Sequence, residues 1–170
     1  MLVSWPFVIG LGSHHGDDQA GWLVVKHLRE RNFPEARLAC VQHPAELLDL
    51  VEADQDLVIC DACSGNGSPG LIDCGVWRPV ALIQRWNSES DGCLPRVNDE
   101  SMINHLRAGS HDLSLFDVME LGYSLNGFPE SAEVWTLEGS AWGPGTEPSA
   151  VIESAAVRVA ESIWEKYHHA

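Results

Sequence analysis

The sequence predicts an α/β fold of helices layered on a mainly parallel sheet. Three observations carry that reading. Apolar stretches of strand length alternate along the chain with stretches of helical periodicity, the pattern of successive βα units. The stretch DLVICDA, residues 56–62, is almost wholly apolar up to its terminal Asp61, as a central strand covered on both faces would be. The chain has 170 residues, 45% of them hydrophobic, with no repeat, low-complexity tract or linker, and is read as one domain over residues 1–170.

The elements follow in order. FVIGLG (7–12) is a short apolar strand. DDQAGWLVVKHLRERN (17–32) is a helix, with Trp22, Leu23, Val25 and Leu28 at near-helical spacing and an acid at its start to complement the N-terminal dipole. ARLACVQ (36–42) is a second strand, with Leu38, Cys40 and Gln42 sharing a face. Pro44 opens the helix PAELLDLVE (44–52), where a missing N–H costs little. DLVICDA is the third strand, and CSGNGSPG (63–70) a loop dense in turn residues. LIDCGVWRPVAL (71–82) reads as paired edge strands interrupted at Pro79. Residues 84–110 show little periodicity, as a long loop or an insertion with a short helix near ESMINHL. LSLFDVMELGYSLNG (113–127) is an amphipathic helix with Ser110, His111 or Asp112 as N-cap and Gly127 as C-cap. AEVWTLEG (132–139) is a strand, SAWGPGTEPS (140–149) a loop, and SAVIESAAVRVAESIWEKY (149–167) a terminal helix capped by Ser149. His168 and His169 read as a tail, native or added.

Charge narrows the function. The formal net charge is −15, with Lys+Arg 10 against Asp+Glu 25 and no basic cluster. Such a surface does not displace counterions from nucleic acid or seek anionic lipid. It suits metal cations or a basic peptide. No apolar run reaches membrane length and the first residues lack a signal-peptide pattern, so a cytoplasmic protein is expected. The cysteines Cys40, Cys60, Cys63, Cys74 and Cys93 are then expected as free thiols. Cys60 and Cys63 form C-x-x-C, but inside an apolar strand and with no second pair, so packing is favoured over zinc or redox chemistry.

The chemistry gathers at strand ends. Gly10-x-Gly12 leaves the first strand as a phosphate loop would, yet position 15 is His where a dinucleotide site needs Gly, and no Gly-Lys-Ser/Thr follows. The loop carries His14, His15, Asp17 and Asp18 instead. One of the two acids suffices to cap a helix; the other is free to face the C-terminal edge of the sheet, where open α/β folds place ligands. Asp61 ends another apolar strand at that edge, either bonding the following turn or meeting the first pair. Carboxylates that close need a proton or a cation between them. His111, before the amphipathic helix, is a solvated or capping residue, or the nitrogen of an O, O, N ligand set suited to Zn²⁺ or a similar transition metal. The nucleophile elbow G-x-S-x-G is absent, which argues against a serine hydrolase.

Taken together, VIGLGSHHGDDQAG, DLVICDACSGNGSPGLI and SHDLSLFDVMELGYSLNGFPESAEVWTLEG resemble, in order, three motifs of the hydrogenase maturation endopeptidases. These peptidases trim the C-terminus of nickel–iron hydrogenase large subunits. The resemblance spans most of the chain. It implies a three-layer α/β/α sandwich with a mainly parallel sheet, of phosphorylase/hydrolase-like type. It implies a divalent metal held by Asp18, Asp61 and His111, with Asp17 as a further proton acceptor. The metal implied is Ni²⁺ presented by the substrate, with Zn²⁺ or Cd²⁺ as substitutes. The partner implied is the large-subunit precursor, cleaved just after its nickel-binding motif. The sequence departs from the family pattern at Ser13, where the loop usually has Asn, at Gln19, where Gly is usual, and at TLEG. Two other readings use the same residues: a non-catalytic metal-binding or hydrogenase assembly factor, and a metal-dependent amidase acting on a small molecule.

Overall fold

A computed structural model describes residues 5–65, 67–82 and 113–168. The sheet has five strands: β1 (Phe7–Leu11), β2 (Leu38–Val41), β3 (Leu57–Cys63), β4 (Ile72–Trp77) and β5 (Ala132–Glu138). Their order is β2-β1-β3-β5-β4. The pairs β1/β2, β1/β3 and β3/β5 are parallel, and only β4 runs antiparallel, at the edge beside β5. The α helices of the described residues are α1 (Ala20–Glu30), α2 (Leu47–Leu50), α3 (Leu115–Ser124) and α4 (Ala150–His168).

Two apolar clusters explain the layering. Side chains alternate across a strand. In β1 and β3, Phe7, Ile9, Leu57 and Ile59 join Leu47 of α2 and Leu115, Phe116, Val118 and Met119 of α3. Val8, Val58 and Cys60 point the other way, onto Val24, Val25 and Leu28 of α1 and Ile152, Ala156 and Val159 of α4. Helices therefore cover both faces, as the three-layer sandwich requires.

Several elements differ in detail from expectation. A 3₁₀ turn, Gly16–Gln19, precedes α1, so the helix begins at Ala20 rather than at the two aspartates. Likewise Pro44–Glu46 is a 3₁₀ turn ahead of the short α2. Glu46 closes that turn by accepting the N–H groups of Gln42 at 2.9 Å and His43 at 2.8 Å. In β2 Leu38 is buried, but Cys40 on the same face is exposed because the strand lies at the sheet edge. Residues 71–82 form one edge strand and a helical turn rather than two paired strands. Ser114 caps α3, accepting the Asp117 N–H at 3.2 Å, in place of residues 110–112, which lie outside the described residues. The residue that leaves α3 with positive φ is Asn126, not Gly127. Gly127 follows it and donates its N–H to the Gly122 carbonyl at 2.9 Å. Ser149 does begin α4, its hydroxyl accepting the Ile152 N–H at 3.4 Å. The helix continues through His168, whose ring stacks on Trp164 at 4.0 Å, so His168 belongs to the fold.

Two glycines set how closely α1 seats on the sheet. A Cβ at Gly10 would lie 2.2 Å from the Gly21 carbonyl oxygen, and one at Gly21 would lie 2.3 Å from that of Cys60. No side chain fits in either place. The start of α1 thus rests backbone against backbone on β1 and β3, which brings the 13–19 loop over the end of β3.

Candidate active site

Parallel strands put their C-terminal ends on one side. Register pairing aligns Gly10 with Cys60 and Cys63 with Glu138. The loop after β1, the end of β3 and the end of β5 thus share one edge, bearing Asp17, Asp18, Asp61 and Glu138.

Asp18 is half-buried. Its backbone N–H donates to the His15 carbonyl at 3.1 Å, and its own carbonyl accepts the Ser13 N–H at 3.3 Å. The Ser13 hydroxyl donates to Asp18 Oδ2. Asp61 sits on the face of β3 that carries Leu57 and Ile59, the same face on which α3 packs. Its Oδ1 accepts the N–H of Ala62 at 2.8 Å. Burial first, and the Asp18 charge second, push the Asp61 carboxyl up to about 8, against the pull of the Ala62 N–H. A buried carboxyl that also feels a neighbouring carboxylate fits a shared cation, which would displace its proton.

Asp17 behaves differently. It is fully buried. Its Oδ2 accepts the N–H groups of Ser140 at 2.7 Å and Ala141 at 2.9 Å and the Ser149 hydroxyl at 3.0 Å, while Oδ1 accepts the Ser149 N–H at 2.6 Å. Burial acts to raise its pKa, but these donors outweigh it and hold the carboxyl below its ordinary value. Asp17 makes no capping bond to the turn or helix it begins. It instead fastens the β5–α4 loop, residues 139–149, over the β1 loop. Gly16 takes φ of 54° there, where a Cβ would lie 2.0 Å from the Ala141 carbonyl oxygen.

The two loop histidines have other partners. The His14 ring meets Trp22 edge-on at 4.7 Å, and His15 Nδ1 accepts the Gly145 N–H at 3.1 Å. Among the described residues no three His, Cys, Asp or Glu side chains gather closely enough to hold a metal. His111 lies outside the described residues, as does the 84–110 segment. Cys60 and Cys63 are both free thiols. Three residues apart on one strand, they point to opposite faces and form no dithiol site. Cys60 is core, and its burial raises its pKa well above the ordinary thiol value.

One buried acid escaped the sequence reading. Glu138, at the end of β5, accepts the Gly65 N–H at 2.6 Å and the Cys63 thiol at 3.3 Å. Burial, then the bond to Glu138, pushes that thiol up to about 12. Glu138, not Asp61, therefore ties down the CSGNGSPG loop. The signal was present: TLEG ends a strand with an acid just as DLVICDA does.

This arrangement defines a class: a three-layer α/β/α protein with a mainly parallel sheet and an acid-lined edge, the fold of the hydrogenase maturation endopeptidases. The chain is similar over its length to the [NiFe] hydrogenase maturation protease HycI from Thermococcus kodakarensis KOD1, at 23% identity and a TM-score of 0.68, covering 97% of this chain and 93% of that one. It is also similar to the hydrogenase maturating endopeptidase HybD from E. coli (17% identity, TM-score 0.65, 95% and 91% covered). A third similar structure is the endopeptidase HycI from Escherichia coli (15%, 0.60, 95% and 91%). No protein-family model and no curated protein sequence matches the chain.

Proposed function

We propose that the protein is a metal-dependent endopeptidase that removes the C-terminal extension of a nickel–iron hydrogenase large-subunit precursor, recognising the nickel already bound there. The observation that carries this reading is the convergence of Asp18 and Asp61 at the C-terminal sheet edge, close enough for one charge to raise the other's pKa. The shared fold with maturation endopeptidases supports it.

Asp18 and Asp61 supply carboxylate oxygens to the nickel that the substrate brings, with His111 as the proposed third donor. Nickel held there polarises the scissile carbonyl or the attacking water. Asp61, whose proton is held first by burial and then by the Asp18 charge, would give that proton up to such a cation. Asp17 is assigned an organising role rather than that of a proton acceptor, because five donor contacts already occupy its oxygens. No helix among the described residues is long and apolar enough to cross a membrane.

The test is to mix the protein with nickel-loaded precursor and follow the precursor's C-terminal end by mass spectrometry. Loss of the extension, abolished by Asp61→Asn, is the expected result. Binding without cleavage across several cognate precursors would replace the peptidase with an assembly factor.

A further inference from the structure

Asp18 and Asp17 are neighbours with opposite hydrogen-bonding states. A carboxylate offers about four lone-pair sites. Those of Asp17 are filled by donors from three residues. Among the described residues Asp18 has a single carboxylate donor, the Ser13 hydroxyl. That is the condition of a ligand: among the described residues most of its lone pairs meet no donor, and one bond governs where they point.

The backbone delivers that hydroxyl. Ser13 and Asp18 are joined a second time, Ser13 N–H to Asp18 C=O, at 3.3 Å. At Gly12 a Cβ would lie only 2.1 Å from the same Asp18 carbonyl oxygen, so the chain at residues 12–13 lies against the backbone of residue 18. With the Asp18 main chain pinned on both sides, the remaining freedom is in its side-chain torsions. A one-carbon hydroxyl at position 13 fixes them.

We propose that Ser13 is a positioning residue for Asp18, its hydroxyl setting the rotamer in which the carboxylate presents its free oxygen to a divalent cation. This rests on the peptidase reading for its biological context, but the geometry stands without it. A Ser13 that merely closed the loop would act through stability; a positioning Ser13 acts on the cation.

The experiment compares the full-length wild type with Ser13→Ala, Ser13→Thr and Asp18→Ala. Each is titrated with Ni²⁺ alone by calorimetry, melted, and assayed on nickel-loaded precursor. Ser13→Ala is expected to weaken Ni²⁺ binding and lower kcat by roughly 10- to 100-fold, the usual effect of removing a hydrogen-bond partner of a metal ligand. The melting temperature should stay as in the wild type, and Ser13→Thr should restore binding and kcat. The proposal is overturned by Ser13→Ala matching wild type, by a loss that Thr does not restore, or by a loss that follows a fall in melting temperature. Weakened Ni²⁺ binding with Thr rescue, in a protein that cleaves no precursor, keeps Ser13 in its role and removes the peptidase. Precursor cleavage indifferent to Ser13→Ala does the reverse. A wild type that neither binds Ni²⁺ nor cleaves overturns both.

Discussion

Asp17 and Asp18 are adjacent in sequence and serve different ends. Asp17→Asn places an NH₂ group among donors that need an acceptor. It is expected to destabilise the fold by roughly 3 kcal/mol, read by chemical denaturation at neutral pH. The pH dependence follows from the depressed pKa. A carboxyl held below 3.8 contributes stability above that value and loses it as pH falls through the folded-state pKa. The gap between wild type and Asp17→Asn should therefore close in acid. Asp61 has the opposite sign. With its pKa raised to about 8, the stability tied to its proton is complete below 3.8 and is lost as pH rises through about 8. Carboxyl-carbon NMR should show Asp61 titrating near the upper value in the metal-free protein, and Asp18→Asn should lower it. An unchanged Asp61 titration in that variant would show that the two carboxylates do not meet. That the two adjacent acids exceed what one helix start needs was legible in the sequence, although the helix begins at Ala20 and Asp17 does not cap it. Asp17's true partners were not, because they lie more than 120 residues away in the chain.

Strands and helices are legible where periodicity is strong, and less so at their ends. The apolar runs of β1, and of β3 up to Asp61, announce a parallel sheet covered on both faces. The ends of α1 and α3 are set by Asn32 and Asn126 at φ of 60° and 57°, a left-handed conformation that Asn tolerates and that, for α3, Gly127 was expected to supply. The cap of α3 also lies elsewhere than expected, although Ser114-x-x-Asp117 carries the capping pattern. The nearby His111 draws attention from it. Ser114→Ala should cost about 1 kcal/mol in thermal or chemical unfolding. Gly21→Ala tests a stronger constraint: its Cβ would collide with the backbone of both β1 and β3. It should destabilise by ~2 kcal/mol or more, or shift the start of α1 off the sheet, and the Asp61 titration with it.

Two clefts among the described residues lie away from the acidic edge. A cleft of about 410 Å³ lies between β4, β5 and α4, lined by Cys74, Glu133, Trp135 and Lys166. Another opens at the opposite end of the strands, beside Asp56 and Leu57. Neither includes Asp18 or Asp61, so Lys166→Ala and Cys74→Ser should leave precursor processing unchanged, a result the mass-spectrometric assay reads directly. The knot made by Asp17 has a further consequence, for a chain still being synthesised. Its donors are Ser140, Ala141 and Ser149, and the helix that follows packs on α1. Until those residues have emerged from the ribosome, Asp17 is an unpartnered charge and the loop that carries Asp18 lacks its tie to the β5–α4 side. The acid-lined edge is therefore completed only after β5, the last strand of the sheet, has been made.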